Sequence, residues 1–319
     1  MTRLPRVSSL MPDSEGWGYF LCTNKELRPI RNGELLLAVL QDATGQINAK
    51  VLDDTERFNT EFDAGEFVRV EARGTTFQGQ LQLLITHIRR VNPAQDRLQG
   101  FREEDCVLSA PRSAGEMWAE LTAHLDSVRN PHLRVLLNRI TADHGDALRE
   151  WPAAQQIHHA YRGGLLEHIL KMAETGRALA RAYGANEDLI LAGTILHDIG
   201  KLQELHYEPG GATYTRDGNL VGHIALGLIL VRETANGISG FPDALRAELE
   251  HLILSHHGTH EHGSPVVPKT VEAFIVATVD ELDTRIHQVR RAINEDPTDG
   301  EFTGWHKRLG RVIYKGRPD

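Results

Sequence analysis

Tyr161-Arg162-Gly163-Gly164-Leu165-Leu166-Glu167-His168 leads into Leu196-His197-Asp198-Ile199-Gly200-Lys201, and the reading of these two stretches decides the fold of the chain's larger part. From Gly164 to about Tyr183 the apolar positions Leu165, Ile169, Met172, Gly176, Leu179 and Tyr183 recur at helical spacing. His168 lies within that stripe and faces the interior. The next segment, Glu187 to about Ile199, is apolar on most sides and ends in His197-Asp198. A carboxylate there is costly unless it meets a cation or a dense set of hydrogen bonds. A solvated last turn is the plainer alternative. Gly200 lets the helix stop, and Lys201 puts a cation just beyond it.

Working outward, His223 opens a third apolar helix, His256 and His257 close a fourth, and Asp280 sits inside a fifth beside Val276 and Val279. One buried histidine is more often a hydrogen-bonded core residue than a ligand. Seven imidazoles and carboxylates on five helical segments make coincidence a poor account. Histidine and carboxylate without cysteine favour Mn²⁺, Fe²⁺, Mg²⁺ or Zn²⁺ over a thiolate site. Adjacent helical residues point about 100° apart, so a bridging Asp198, one oxygen to each of two ions, is the natural expectation. Two ions ~3.5–4 Å apart activate a water and stabilise the leaving oxygen in phosphoryl displacement. The pattern therefore points to a two-metal phosphohydrolase.

The first 95 residues carry a different periodicity, near two. Tyr19–Leu21, Glu34–Leu40, Gln46–Leu52, Phe67–Arg73 and Leu81–Thr86 read as strands, with a short helix between the third and fourth. Asp42-Ala43-Thr44-Gly45 and Gln78-Gly79 mark turns, the first with Gly45 available for a positive φ. The order fits a five-stranded Greek-key barrel of the OB type, which binds single strands by stacking bases on aromatics in a basic groove. Trp17, Tyr19 and Phe77 are candidate platforms, or fillers of a small core. Arg28, Arg31, Lys50, Arg69 and Arg73 are candidate phosphate partners. Residues 96–150 read as a linker and helical approach, with a capping box at Ser113 and Glu116. Residues 295–319 form a basic tail that either tracks a phosphate backbone or docks on the catalytic domain.

At 319 residues the chain is long enough for two domains. A net charge of −9 argues against a protein that coats nucleic acid non-specifically, while leaving room for local basic grooves. Cys22 and Cys106 form no metal or redox spacing and are expected to be free thiols of a reducing cytoplasm. Neither a signal peptide nor a run of ~18 apolar residues is visible, so a soluble cytoplasmic protein without a membrane partner is expected.

His168, His197-Asp198 and Asp280 match the pattern of the HD-domain metal-dependent phosphohydrolases, and His223, His256 and His257 resemble the extended set of members with two metals. Together with an N-terminal OB domain, His158-His159-Ala160-Tyr161, Gly163 to His168, His197 to Lys201, Gly222-His223-Ile224 and Ser255-His256-His257-Gly258 resemble the YhaM-type 3′→5′ exoribonucleases. The resemblance implies an OB-type barrel at 1–95 and an all-α HD bundle at 151–294. It implies metal-dependent release of nucleoside 5′-monophosphates from single-stranded RNA, and from single-stranded DNA. One ion would be held by His168, His197, Asp198 and Asp280, and the other by Asp198, His223, His256 and His257. Mn²⁺ is the first expectation for both, with Mg²⁺, Fe²⁺, Co²⁺ and Zn²⁺ as alternatives.

Asp198, His197 and Lys201 are the catalytic candidates, Lys201 touching phosphate or orienting Asp198. His158, His159 and Arg162 either contact the terminal nucleotide or serve the structure. Glu261-His262-Gly263-Ser264-Pro265 follows a Glu-aromatic-Gly-Ser-Pro pattern with an imidazole in place of the larger ring, which weakens base stacking there. Glu261 is the substrate candidate of that loop, and His260 with His262 offers room for a bystander metal. Two rival readings stay open: a small-nucleotide phosphohydrolase of the same superfamily, and a nucleic-acid-binding module with an inactive HD domain. Homo-oligomerisation is left open too.

Overall fold

The computed structural model describes residues 2–30, 33–155 and 159–316. Two compact units result, Met1–Ser109 with Tyr207–Ala212, and Ala110–His206 with Thr213–Asp319.

The first unit is a closed barrel of five strands in the order β1-β2-β3-β5-β4, the OB arrangement expected from the alternation. The strands are β1 (Glu15–Ile30), β2 (Gly33–Asp42), β3 (Gly45–Val51), β4 (Phe67–Phe77) and β5 (Gln80–Arg90), with α1 (Thr55–Glu61) between β3 and β4. β1 is far longer than the Tyr19–Leu21 core of the sequence signal. Its first half pairs with β4 and its second half with β2, and a register shift between Cys22 and Asn24 bends it from one partner to the other. A parallel pairing of β3 with β5 closes the barrel. The turn before β3 forms for a different reason than expected. Gly45 does not adopt a positive φ; instead Asp42 Oδ1 accepts from the backbone N–H groups of Thr44 (2.7 Å) and Gly45 (3.2 Å).

Beyond β5, α2 (Pro93–Asp96) begins a segment whose Phe101, Cys106 and Val107 pack with Tyr19, Leu21 and Val91 in a cluster of their own. Asp96 anchors it. Fully buried, it receives two hydrogen bonds from Arg89 (2.7 and 2.8 Å), one from the Asn92 N–H (2.7 Å) and one from the Tyr19 hydroxyl (3.0 Å). Cys22 and Cys106 are free, buried thiols.

The second unit is helical, and the chain between Glu204 and Arg216 runs through a two-stranded ribbon, β6 (Leu205–Glu208) with β7 (Gly211–Tyr214), whose tip Tyr207–Ala212 belongs to the first unit. The helices of the second unit are α3 (Ala114–Asp126), α4 (Pro131–Glu150), α5 (Gly164–Tyr183), α6 (Glu187–Leu196), α7 (Lys201–Glu204), α8 (Arg216–Leu220), α9 (His223–Asn236), α10 (Asp243–Ser255) and α11 (Val271–Asn294). Ser113 and Glu116 form the capping box that starts α3, and Asn130 caps α4. In α6 every residue from Leu189 to Leu196 is buried, which makes it the axis around which α5, α10 and α11 pack. Among the described residues no helix is long and apolar enough to cross a membrane.

The Arg89 guanidinium, outweighing the cost of burial, lowers the Asp96 pKa to about 2 from 3.8. A folded-state pKa below the unfolded value adds stability above about pH 4 that is lost as pH falls through about 2. Asp96→Asn should therefore cost about 2 kcal/mol at pH 7, read by urea denaturation of the full chain, and the gap to wild type should narrow between pH 4 and 2.

Candidate active site

Five helices of the second unit, α5, α6, α9, α10 and α11, deliver the polar groups, most of them at or near a helix end. His168 is one turn into α5, His197 and Asp198 follow the last residue of α6, and His223 is the first residue of α9. His256 and His257 follow α10, and Asp280 lies midway along α11. Gly200 takes an ordinary φ of −65°, so stopping a helix is not its task. A Cβ on it would stand 2.0 Å from the His223 carbonyl oxygen and 2.5 Å from the Gly227 nitrogen. Its missing side chain lets the start of α9 abut the end of α6, and so brings His223 to Asp198.

Asp198 is almost wholly buried, and its two oxygens face different neighbours. Oδ2 lies 3.2 Å from His197 Nε2 and 3.9 Å from His168 Nε2, and the latter is 3.3 Å from Asp280 Oδ1. Oδ1 lies 3.5 Å from His223 Nε2 and 3.7 Å from His256 Nε2. The ligand atoms of His168, His197 and Asp280 fall within 4.8 Å of one another, as do those of His223, His256 and His257. The Lys201 ammonium donates to Oδ2 at 2.6 Å. Burial alone would raise the Asp198 pKa, but Lys201 and then His197 hold it well below the usual carboxylate range.

The imidazoles are fastened from behind. Nδ1–H donates to Thr194 O in His197 (2.9 Å), to Ile253 O in His256 (2.7 Å) and to His262 O in His257 (3.0 Å). In His168 it donates to Asp283 Oδ2 (2.7 Å), and in His223 to Glu204 Oε1 (2.9 Å). A carbonyl or carboxylate only accepts, so these bonds fix the tautomer and turn Nε2 toward the centre. Among the described residues Asp198 Oδ1, His223 Nε2 and His256 Nε2 are buried without any hydrogen-bond partner. Orphaned acceptors converging from several helices are costly unless a cation completes them. The donor set of imidazoles and carboxylates fits divalent ions, Asp198 lying between the two groups.

Residues 165–285 match the HD domain family. A relative from Halalkalibacterium halodurans named 3'-5' exoribonuclease YhaM is 34% identical over 302 residues, covering 93% of this chain and 92% of its own. The chain belongs to the YhaM family. A second relative of that name, from a Geobacillus species, is 34% identical over 276 residues, 85% of this chain and 82% of its own. The second OB-fold domain of replication protein A from Methanococcus maripaludis covers 28% of this chain at 20% identity and a TM-score of 0.25, which adds nothing to the strand order. As a YhaM-family member with an HD domain, the protein is a phosphodiester hydrolase that depends on divalent metal.

Not every candidate of the sequence reaches a place where substrate could touch it in this YhaM-family chain. Tyr19 is no stacking platform: it is buried, its hydroxyl is committed to Asp96, and burial followed by that bond pushes its pKa up to about 12. His159 is no substrate contact either. It is 6% exposed, with Nδ1 bonded to Glu167 (3.0 Å) and Tyr161 (2.9 Å) and Nε2 to Asp283 (3.1 Å). Arg162 pairs with Glu150. Glu261 is exposed, and from its loop it is His262 that lines the cleft above Asp198. His260 and His262 join no ligand group among the described residues. His158 and Arg31 lie outside the described residues.

On the barrel, Arg28, Lys50 and Phe77 share a groove of about 510 Å³, with Lys50 Nζ 4.3 Å from the centre of the exposed Phe77 ring. Trp17, half-buried, has the guanidiniums of Arg3 and Arg69 over its ring and does not line that groove. Arg73 pairs with Asp13.

Two residues were missed by the sequence reading: Asp283 and Glu204, the carboxylates behind His168 and His223. Asp283 follows Asp280 at i+3 on one helix face, a spacing that pointed to it. Glu204 had no such signal, because its approach to His223 depends on the fold of α7. Replacing either by its amide keeps the shape and weakens the hold on the imidazole. Asp283→Asn and Glu204→Gln should each lower divalent-metal affinity roughly 10–100-fold, measured by calorimetric titration of the metal-stripped protein.

Proposed function

We propose that the protein is a 3′→5′ exonuclease using two divalent ions, Mn²⁺ foremost, to release nucleoside 5′-monophosphates from single-stranded RNA, with single-stranded DNA as a second substrate. The observation that carries this reading is the division of Asp198, one oxygen toward each group of imidazoles. His168, His197 and Asp280 would hold one ion and His223, His256 and His257 the other, with Asp198 between them. Bound there, the ions supply charge stabilisation at the phosphoryl oxygens and a nucleophilic water at neutral pH. The chain's own groups orient and hold. Lys201 keeps Asp198 ionised and in place, and it lines the same cleft of about 710 Å³, where it meets an incoming phosphate. Asp283 and Glu204 keep His168 and His223 from turning.

Polarity and the preference for RNA rest on the activity of the two relatives, both 3'-5' exoribonucleases. The barrel within residues 1–95 acts as the capture module. Phe77 offers a ring face to a base, and Lys50 and Arg28 offer charge to the backbone. A small-nucleotide phosphohydrolase has no use for such a groove. The buried free thiols of Cys22 and Cys106 suit a reducing compartment, the cytoplasm.

A 5′-labelled single-stranded RNA incubated with metal-stripped protein should shorten from its 3′ end once Mn²⁺ is added, and stay intact with chelator. Asp198→Asn should cut turnover by on the order of 10³ or more while RNA binding persists. Full turnover by a folded Asp198→Asn variant, or cleavage without metal, contradicts the reading. Phe77→Ala should weaken oligonucleotide binding by about 1–3 kcal/mol, measured by fluorescence anisotropy.

A further inference from the structure

The basic C-terminal segment is not a loose tail. Phe302 pairs with Tyr314 and His306 with Arg311 in antiparallel bridges. The Thr303 N–H donates to Ile313 O at 2.8 Å, and the Lys315 N–H to Glu301 O at 2.8 Å. Asp296, just beyond α11, fastens both arms: its Oδ1 receives the Lys315 ammonium at 2.6 Å and its Oδ2 the Gly304 N–H at 2.7 Å. The result is a small hairpin whose turn carries Arg308 and whose returning arm carries Arg311.

That hairpin forms a wall of the cleft over Asp198. Arg308, Leu309, Arg311 and Ile313 line it together with Arg285 of α11, which pairs with Glu281 of the same helix. Arg308 and Arg311 are exposed. Neither forms an ion pair with a carboxylate among the described residues, and Arg311 Nε donates to the Leu309 carbonyl oxygen at 3.0 Å. In a chain of 44 acidic and 35 Lys and Arg residues, carboxylates to pair with are plentiful. Two unpaired guanidiniums facing a cleft are placed for an anion that comes from outside.

Resting on the exonuclease reading above, we propose that Arg308 and Arg311, with Arg285 beside them, form a phosphate-binding site on the cleft wall. It holds the backbone of a single-stranded polynucleotide on the 5′ side of the bond being cut. Lys201, beside the two groups of imidazoles and carboxylates, meets the scissile phosphate at the cleft floor. A mononucleotide ends there, whereas a strand presents further phosphates that leave along the wall. Guanidiniums suit this task because their fork of donors matches two phosphate oxygens. The cleft's volume of about 710 Å³ lies within the roughly 300–1,000 Å³ of small-ligand sites, so it admits a terminal nucleotide with the phosphate that precedes it.

The test is steady-state kinetics of the full chain in Mn²⁺ on a short 5′-labelled oligoribonucleotide, comparing wild type with Arg308→Gln/Arg311→Gln and Arg308→Lys/Arg311→Lys. The glutamine pair should raise KM about tenfold with kcat within about twofold, the signature of lost uniform binding. Its slope of log KM against log salt should be shallower by about 1.4, since each single-strand phosphate contact contributes about 0.7. The lysine pair should recover most of the lost affinity and slope. An unchanged KM and slope in a folded glutamine pair overturns the proposal, as does a fall in kcat alone, which would make the hairpin a support of the catalytic centre. Wild type that leaves the oligoribonucleotide intact removes the exonuclease reading, and the phosphate site with it.

Discussion

A carboxylate carried to the end of a helix buried on every side is the constraint on which the rest of the second unit depends. α6 places Asp198 where water cannot solvate it. Lys201 answers one oxygen, and the other lies among imidazole nitrogens without a donor. The surrounding fold concentrates on that shortfall. Gly200 gives up a side chain so that α9 can deliver His223, and imidazoles from α5 to the end of α10 are anchored through Nδ1 so that Nε2 points inward.

Asp96 in the barrel shows what a buried aspartate looks like when its task is structural. Four donor contacts from Arg89, Asn92 and Tyr19 satisfy both of its oxygens, and the result is a fixed chain crossing. Asp198 is as deeply buried and has fewer donors. The difference between the two sites is electrostatic incompleteness, and that is the physical mark of a group meant to meet a cation. The C-terminal hairpin repeats the theme with opposite sign, since Arg308 and Arg311 line the same cleft and, among the described residues, form no ion pair with a carboxylate.

The helical and barrel architecture was legible because it rests on periodicity. The stripe of α5, the all-round apolarity of α6 and the alternation of β2 and β3 are local properties of sequence. The seven polar groups could be singled out because each begins, interrupts or ends an apolar helix, and the structure gathers six of them into two groups on either side of Asp198. What local pattern could not show was the fate of groups whose partners are distant. Tyr19 belongs to a strand and looks like a platform until Asp96, 77 residues on, claims its hydroxyl. His159 has its ring nitrogens taken by Glu167 and Asp283, 124 residues away in the second case. Gly45 and Gly200 look conformational in the sequence; the former's turn is made by Asp42, and the latter is small because α9 passes against it.

The central claim is that Asp198 lies between two cations. The most direct measurement is a crystal structure of the Mn²⁺-soaked protein with anomalous scattering recorded for manganese. Two peaks about 3.5–4 Å apart, one on the His168, His197 and Asp280 side of Asp198 and one on the His223, His256 and His257 side, are the predicted result. A single peak, or Asp198 bonded only to Lys201 with both groups of imidazoles free of metal, would contradict it.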